Sequence, residues 1–148
     1  IHGVEAKGGL RFGDGWSLRG AAAWSRGEDR SADEPLETVD PLTATLGLGY
    51  DADLWGVELA GRFAGRRDRM PTPPAGTTYF QSPGYGVLDL YAHWSPMPQL
   101  RFNLGLTNLA DRRYWASGGV PLAASTSALL DRYSSPGRAL SASVSFDW

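Results

Sequence analysis

The sequence predicts an all-β fold, an antiparallel up-and-down meander of about seven strands. Three observations predict it: apolar and polar residues alternate with period two, short and long connections follow one another, and glycine and aromatic residues are abundant. The 148 residues include 19 Gly, 6 Trp, 6 Tyr and 5 Phe, but only 2 Met. Aromatic side chains favour strands and glycine favours tight turns, so the composition agrees with the alternation.

The first hairpin shows the alternation clearly. In residues 3–12 the even positions carry apolar or small residues, and the odd positions carry charged residues or glycine. Residues 13–15, Gly-Asp-Gly, can supply the positive φ angles of a tight turn. On the return strand Trp16, Leu18 and Trp24 then share one face.

The same pattern predicts the later strands and their connections. Residues 42–50 pair with 55–63 across a turn at 51–53, residues 84–94 pair with 100–109 across 95–99, and residues 139–148 form the last strand. The connections after the second, fourth and sixth strands are long and polar, at residues 27–40, 67–83 and 116–135. Short turns on one side and long loops on the other are typical of outer-membrane barrels, whose short turns are periplasmic.

The aromatic residues indicate that the apolar face contacts lipid. They gather beside the short turns (Phe12, Trp16, Tyr50, Trp55, Trp94, Trp148) and near the long loops (Trp24, Phe63, Tyr114, Trp115). Trp16 and Trp24 are eight residues apart. At a rise of ~3.3 Å per residue and a tilt of ~40° this separation is roughly 20 Å, which suits the two headgroup levels of a thin bilayer.

The opposite face carries charged residues, which are Glu5, Lys7, Arg11, Arg19, Glu58, Arg62 and Arg101. Facing lipid, each would cost ~2–4 kcal/mol at the bilayer midplane, so we expect this face to line the lumen. Leu46, Leu59, Leu104 and Val144 should therefore point outward, and Thr45, Glu58, Asn103 and Ser143 inward. A soluble β-sandwich also explains the alternation, but it leaves the aromatic belts unexplained.

Composition excludes several function classes. The net charge of -2 gives no reason to expect a nucleic-acid partner, and the absence of cysteine excludes disulfides and thiolate chemistry. We predict no catalytic residue, no metal ligand and no cofactor, and we interpret His2 and His93 as solvated or interfacial. Because about seven strands do not close a barrel and the chain opens inside a strand-like pattern, we expect further strands before Ile1.

A family resemblance adds to this interpretation. Residues 108–115 resemble the end of the penultimate strand of TonB-dependent outer-membrane receptors, and Pro-Gly-Arg at 136–138 with a terminal aromatic strand resembles their final segment. The residues that match the family motif are Asn108, Leu109, Asp111, Tyr114, Pro136, Gly137 and Arg138. Residues 40–42, 47–51 and 87–91 further resemble the haem and haemoglobin receptor branch. The haem-ligating histidines of that branch lie in the plug and in an earlier loop, outside these residues.

The resemblance implies that residues 1–148 are the C-terminal third of a 22-stranded transmembrane barrel, without its plug domain and earlier strands. It implies an outer-membrane location with a periplasmic C-terminus, and import of an iron-bearing ligand, haem or a siderophore, energised by the TonB complex through the plug. A passive porin-like barrel remains an alternative, and a barrel enzyme a minor one.

The resemblance also suggests residues that contact partners. Loop candidates for contact with the ligand or its carrier protein are Arg69, Tyr79, Phe80 and Tyr133. Leu140, Val144, Phe146 and Trp148 resemble the C-terminal signal that the outer-membrane assembly machinery recognises by strand pairing. The remaining partner implied is the lipid of the outer membrane.

Overall fold

A computed structural model describes residues 1–148, apart from the side chain of Ser117. One antiparallel sheet contains seven strands, and each pairs with the next of these seven along the chain. These strands are β1 (His2–Phe12), β2 (Trp16–Arg26), β5 (Thr43–Asp51), β6 (Trp55–Ala64), β7 (Tyr85–Met97), β8 (Leu100–Thr107) and β9 (Ala139–Phe146). The predicted all-β meander is therefore confirmed.

The remaining elements are short and lie in the connections. Strands β3 (Glu28–Asp29) and β4 (Glu34–Pro35) form a small hairpin between β2 and β5. Two 3-10 turns, Ser117–Gly119 and Leu130–Tyr133, lie between β8 and β9. Within the described part of the chain, no helix is long and apolar enough to cross a membrane.

The register places the two predicted sets of side chains on opposite faces of the sheet. Leu48 pairs with Leu59, Ala92 with Leu104, and Phe102 with Val144, which carries one apolar face across the strands. Leu46, Leu59, Leu104 and Val144 keep between 41% and 61% of their surface exposed on this face. Asn103 pairs with both His93 and Ser143 on the other face. The predicted register is confirmed.

The polar face is the concave one. One hollow is lined by residues of strands β1, β2 and β5 to β8, including Arg11, Arg19, Glu58, His93 and Arg101. Among the described residues, the buried apolar side chains Val87, Tyr114, Val120 and Leu130 all lie at the long-loop end of the sheet. A β-sandwich would bury the apolar face of the strands between two sheets, so this distribution argues against that alternative.

The short-turn edge carries a row of aromatic side chains on the convex face. Phe12 and Trp16 have ring centroids 6.4 Å apart, Trp16 and Tyr50 5.1 Å, and Tyr50 and Trp55 5.4 Å. Trp55 pairs with Trp94, whose ring stacks on Phe102 at 5.4 Å. Edge-to-face and offset contacts of this kind stabilise the row and give it the form of an interfacial girdle.

The outer aromatic belt is smaller than the sequence predicts. Trp24 and Phe63 lie on the convex face, each more than 40% exposed. Tyr114 instead is buried and packs at a tilt against Tyr85, with ring centroids 4.5 Å apart. Trp115 contacts Phe80, 5.4 Å between centroids. Neither belongs to a lipid-facing belt, because the chain has left the sheet after β8 and strand alternation no longer sets side-chain direction.

Two strand ends also differ from the prediction. The turn predicted at residues 95–99 is shorter, because β7 continues to Met97 through an irregular register between Trp94 and Met97. Pro96, which has no N–H for the ladder, falls in this irregularity, where proline is tolerated. At the C-terminus β9 ends at Phe146, so Trp148 lies beyond the strand and is wholly exposed.

Candidate functional site

Three long loops leave the same edge of the sheet, opposite the short turns. They are loop 1 (residues 27–42), loop 2 (residues 65–84) and loop 3 (residues 108–138), between β2 and β5, β6 and β7, and β8 and β9. Loops on a rigid scaffold are where binding residues concentrate. The candidate site is therefore the surface that these three loops form together.

Loops 1 and 2 are joined by charged contacts. The Arg69 guanidinium lies 2.9 Å from a Glu28 carboxylate oxygen, which also accepts a hydrogen bond from Arg26 at 3.1 Å. These two arginines, Arg26 first, lower the pKa of the Glu28 carboxyl. The backbone N–H of Thr72 donates to the Glu34 carboxylate at 3.2 Å. The β3–β4 hairpin of loop 1 is thereby held against loop 2.

Loops 2 and 3 are joined through their backbones. Tyr79 forms an antiparallel bridge with Ala124, and the N–H of Phe80 donates to the Ala123 carbonyl at 2.9 Å. The Phe80 ring then packs edge-on against Trp115, whose indole N–H donates to the Leu130 carbonyl at 2.8 Å. Backbone pairing and aromatic packing together make these two loops one unit.

Arg67 joins all three loops. Its own N–H donates to Ser82 within loop 2 at 3.0 Å. Its guanidinium donates to the carbonyl of Val120 in loop 3 at 3.0 Å and to the carbonyl of Glu37 in loop 1. The residue is buried, with 7% of its surface exposed. Sequence reasoning did not single it out, because Arg66, Arg67 and Arg69 look alike in a polar loop.

The motif residues fasten the base of loop 3. Asn108, at φ 51°, accepts from the Arg112 N–H at 2.9 Å and donates to the Arg112 and Pro136 carbonyls at 2.8 and 3.3 Å. Asp111, at φ 52°, accepts from the Arg138 N–H at 2.7 Å, beside Gly137. Asn and Asp tolerate this left-handed backbone and can cap free backbone groups. The exit of β8 and the start of β9 are thus tied together, whereas Leu109 contributes its backbone N–H to Leu88.

A buried carboxylate supports the same corner from the sheet. Asp89 is 1% exposed and pairs with Arg62, 2.9 Å from Nε to Oδ2. Its other oxygen accepts the backbone N–H of Asn108 at 2.7 Å. Burying a carboxylate is costly unless it is paired and hydrogen-bonded, and Asp89 is both. The sequence does contain a signal for this pair: an acidic residue, Asp89, stands between Leu88 and Leu90 in a strand, on the face opposite the leucines.

The predicted ligand-contact residues do not converge on one cavity. Arg69 lines a cleft between loops 1 and 2, and Tyr133 lines a second cleft between loops 1 and 3. Tyr79 and Phe80 serve the joint between loops 2 and 3. Of the four, Arg69 and Tyr133 are therefore the ones placed at open clefts.

The two histidines and three of the predicted C-terminal residues lie on strands of the sheet and not in the loops. Leu140, Val144 and Phe146 are exposed on β9, an outermost strand of the sheet. The His93 imidazole lies on the concave face near the short turns, 3.9 Å from Asp51. His2 packs edge-on against Trp24 at 5.8 Å. Among the residues whose placement is described, no cluster of His, Cys, Asp and Glu has the form of a metal site.

Comparisons with known proteins agree on a family. A family model described as TonB dependent receptor-like, beta-barrel, matches residues 1–109. The chain is 27% identical to the probable hemoglobin and hemoglobin-haptoglobin-binding protein 4 of Haemophilus influenzae, over 99% of this chain and 17% of that protein. It is 30% identical to the hemin receptor of Yersinia enterocolitica, over 66% of this chain and 14% of that protein.

A solved structure has the same fold. The copper transporter OprC superposes with a TM-score of 0.83 at 23% identity, covering 97% of this chain and 22% of that one. At this identity the likeness concerns the fold alone. The chain thus spans a small part of the curated relatives and solved barrels that it matches.

Proposed function

The chain belongs to the family of TonB-dependent receptor β-barrels, and from this premise we propose that it supplies barrel wall and external loops to an outer-membrane receptor for an iron-bearing ligand. Haem, free or carried by haemoglobin, is the ligand that we propose first. The relatives named for hemoglobin and hemin support this choice. Residues 1–148 act in transport, with no catalytic step of their own.

The two faces of the sheet support the assignment to a barrel wall. The convex face carries exposed leucines and the aromatic row, which suit lipid, and the concave face carries arginines and carboxylates, which suit water or a plug. In the complete receptor the outermost strands β1 and β9 pair with strands beyond this chain. The short turns then lie at the periplasmic rim with the C-terminus, and the TonB complex acts through a plug domain.

The observation that carries the proposal is the joining of loops 1, 2 and 3 into one surface at the edge opposite the aromatic row. A passive channel has little need of loops that are fixed to one another. A receptor that captures a scarce ligand gains affinity when its binding surface is already ordered. Arg69 and Tyr133, at the clefts of this surface, are the residues that we propose contact the ligand or its carrier.

The test is growth on haem in a host that cannot make it. The complete receptor would be expressed in a strain without haem synthesis or haem receptors of its own, with haemin or haemoglobin as the supplied source. We expect growth in a strain with TonB and none in an isogenic strain without it. Equal growth in both strains would support a passive pore instead. No growth on haemin or haemoglobin, together with receptor-dependent growth on ferric siderophores in an iron-starved host that makes its own haem but lacks siderophore receptors, would reassign the ligand.

A further inference from the structure

Arg67 differs from its neighbours in what its side chain contacts. Arg66 donates to the side chain of Gln81 within loop 2, and Arg69 donates to the side chain of Glu28; both arginines remain partly exposed. Arg67 is buried and donates to backbone carbonyls of Glu37 and Val120, which belong to the two other loops. A guanidinium has N–H donors on several sides of one plane, so it can bind acceptors from different segments at once.

The segments that Arg67 holds have little regular structure of their own. Glu37 lies in a turn after β4, and Val120 directly follows a 3-10 turn in loop 3. Ordering each residue of such a segment costs conformational entropy. When a ligand has to order loops as it binds, the entropy cost makes the binding free energy less favourable and weakens the affinity. Contacts that order the loops before the ligand arrives remove this cost from the binding step.

Arg67 lines both open clefts of the loop surface. The cleft between loops 1 and 2 is also lined by Leu36 and Arg69, and the cleft between loops 1 and 3 by Asp40 and Tyr133. The other joints, at Glu28 and at Tyr79, each connect two loops. The shape of both clefts therefore depends on the position of one side chain.

We infer that Arg67 is a positioning residue for ligand binding: it holds loops 1, 2 and 3 in the one arrangement in which the loop surface captures its ligand. The inference rests on the proposed function for the identity of that ligand. It does not require Arg67 to touch the ligand, because the effect acts through the placement of the loops.

The test compares Arg67→Ala with Arg66→Ala in the complete receptor. The two changes remove the same charge from adjacent positions, but only the first removes contacts to loops 1 and 3. Uptake of radiolabelled haemin is measured against its concentration. We expect the half-saturating concentration to rise about tenfold for Arg67→Ala, as when the binding-competent fraction falls tenfold. Maximal uptake should stay near wild type, and Arg66→Ala should change neither value by more than about twofold.

The half-saturating concentration and the maximal uptake report on different effects. Misplaced loops raise the first, whereas loss of folded receptor lowers the second. Heat-modifiability on gels would check that the barrel is folded. A merely destabilised receptor lowers maximal uptake at an unchanged half-saturating concentration, and that result would overturn the inference. Arg67→Lys, which keeps the charge but cannot bridge two carbonyls in a fork, should resemble Arg67→Ala. A wild-type profile for Arg67→Lys would equally contradict it.

Hydrogen exchange gives a result that does not depend on the ligand. In Arg67→Ala the amides of loops 1 and 3 should exchange faster, whereas the exchange of the strand amides should not change. In Arg66→Ala the amides of loops 1 and 3 should exchange as they do in the wild type. Unchanged loop exchange overturns the inference whatever the receptor imports. If wild-type receptor takes up neither haemin nor haemoglobin while loop exchange responds as expected, the proposed ligand is wrong and the role of Arg67 in ordering the loops stands.

Discussion

Arg19 on β2 and Glu58 on β6 form an ion pair across the full width of β5. The Arg19 Nε lies 3.0 Å from a Glu58 carboxylate oxygen. The pair passes over Gly47, whose added Cβ would lie 3.1 Å from the Arg19 side chain. Since Gly47 pairs with Arg19 in the sheet, the absence of a side chain at this position opens the path for the contact.

Gly47→Val should break this pair without unfolding the sheet. Because Arg19 is largely exposed, the pair contributes about 1 kcal/mol or less, and valine suits a strand. We expect Glu58→Gln to lower the free energy of unfolding slightly in the wild-type background and not at all in the Gly47→Val background. Urea unfolding in detergent micelles measures both. Gly8→Val, at an open position, is the control, and an equal Glu58→Gln effect in all three backgrounds would contradict the prediction.

Asp89→Ala should be among the most destabilising single changes in the sheet. It leaves the Arg62 guanidinium without its carboxylate partner and the Asn108 N–H without its acceptor. We expect the free energy of unfolding to fall by about 2–4 kcal/mol, measured by urea unfolding in micelles. Asp53→Ala, at an exposed turn, should change it by less than about 0.5 kcal/mol. A similar fall in the free energy of unfolding for both variants would show that the buried Asp89 contacts contribute no more than an exposed turn residue does.

The contact between loops 1 and 2 should weaken in acid. The pKa of Glu28 is lowered from its ordinary value of 4.5 by Arg26 and then Arg69. A lowered acid pKa means that the ionised form is favoured in the folded loop, so the stabilisation is present above pH 4.5 and is lost as pH falls through the lower folded value. At each pH, protease cleavage of loop 1 is compared with cleavage of Glu28→Gln, which removes the pH dependence of the protease itself. Above pH 4.5 the wild type should be cleaved more slowly, and its rate should approach that of Glu28→Gln as the pH falls below 4.5. A ratio of the two rates that does not change with pH would contradict the prediction.

The C-terminal aromatics should matter more for assembly than belt aromatics do. Phe146 ends β9 on its exposed apolar face, and Trp148 extends beyond the strand. A strand with one apolar face can be recognised by pairing with another strand edge. Deleting Trp148 together with Phe146→Ala should sharply reduce heat-modifiable receptor in outer-membrane fractions, whereas Trp16→Leu should have a mild effect. Equal, small effects would leave both residues as ordinary belt aromatics.

The meander could be predicted from sequence because its determinants are local. Alternation fixes the face of each side chain, and a turn such as residues 13–15 fixes the register of its hairpin, with Gly13 and Gly15 at positive φ. The prediction failed where the chain leaves the ladder. Beyond Asn108, at φ 51°, period two says nothing about where Tyr114 points.

The loop surface could be predicted only in part. The polar composition of loops 1, 2 and 3 marks them as loops, and the motif residues Asn108 and Asp111 mark a capped strand exit. The contacts of Arg67, in contrast, join residues 30 and 53 positions apart. The partners in these two contacts are backbone carbonyls, which every residue type carries, so the residue types at 37 and 120 do not reveal them.

That choice of partner affects how freely the loops can change in evolution. Every amino acid carries a carbonyl oxygen, so a substitution at Glu37 or Val120 alters the side chain without removing the acceptor that Arg67 uses. A tie made to side chains, like that between Arg69 and Glu28, is lost with one substitution on either side. Loops 1, 2 and 3 can thus change their outward side chains by substitution while keeping one arrangement of their backbones.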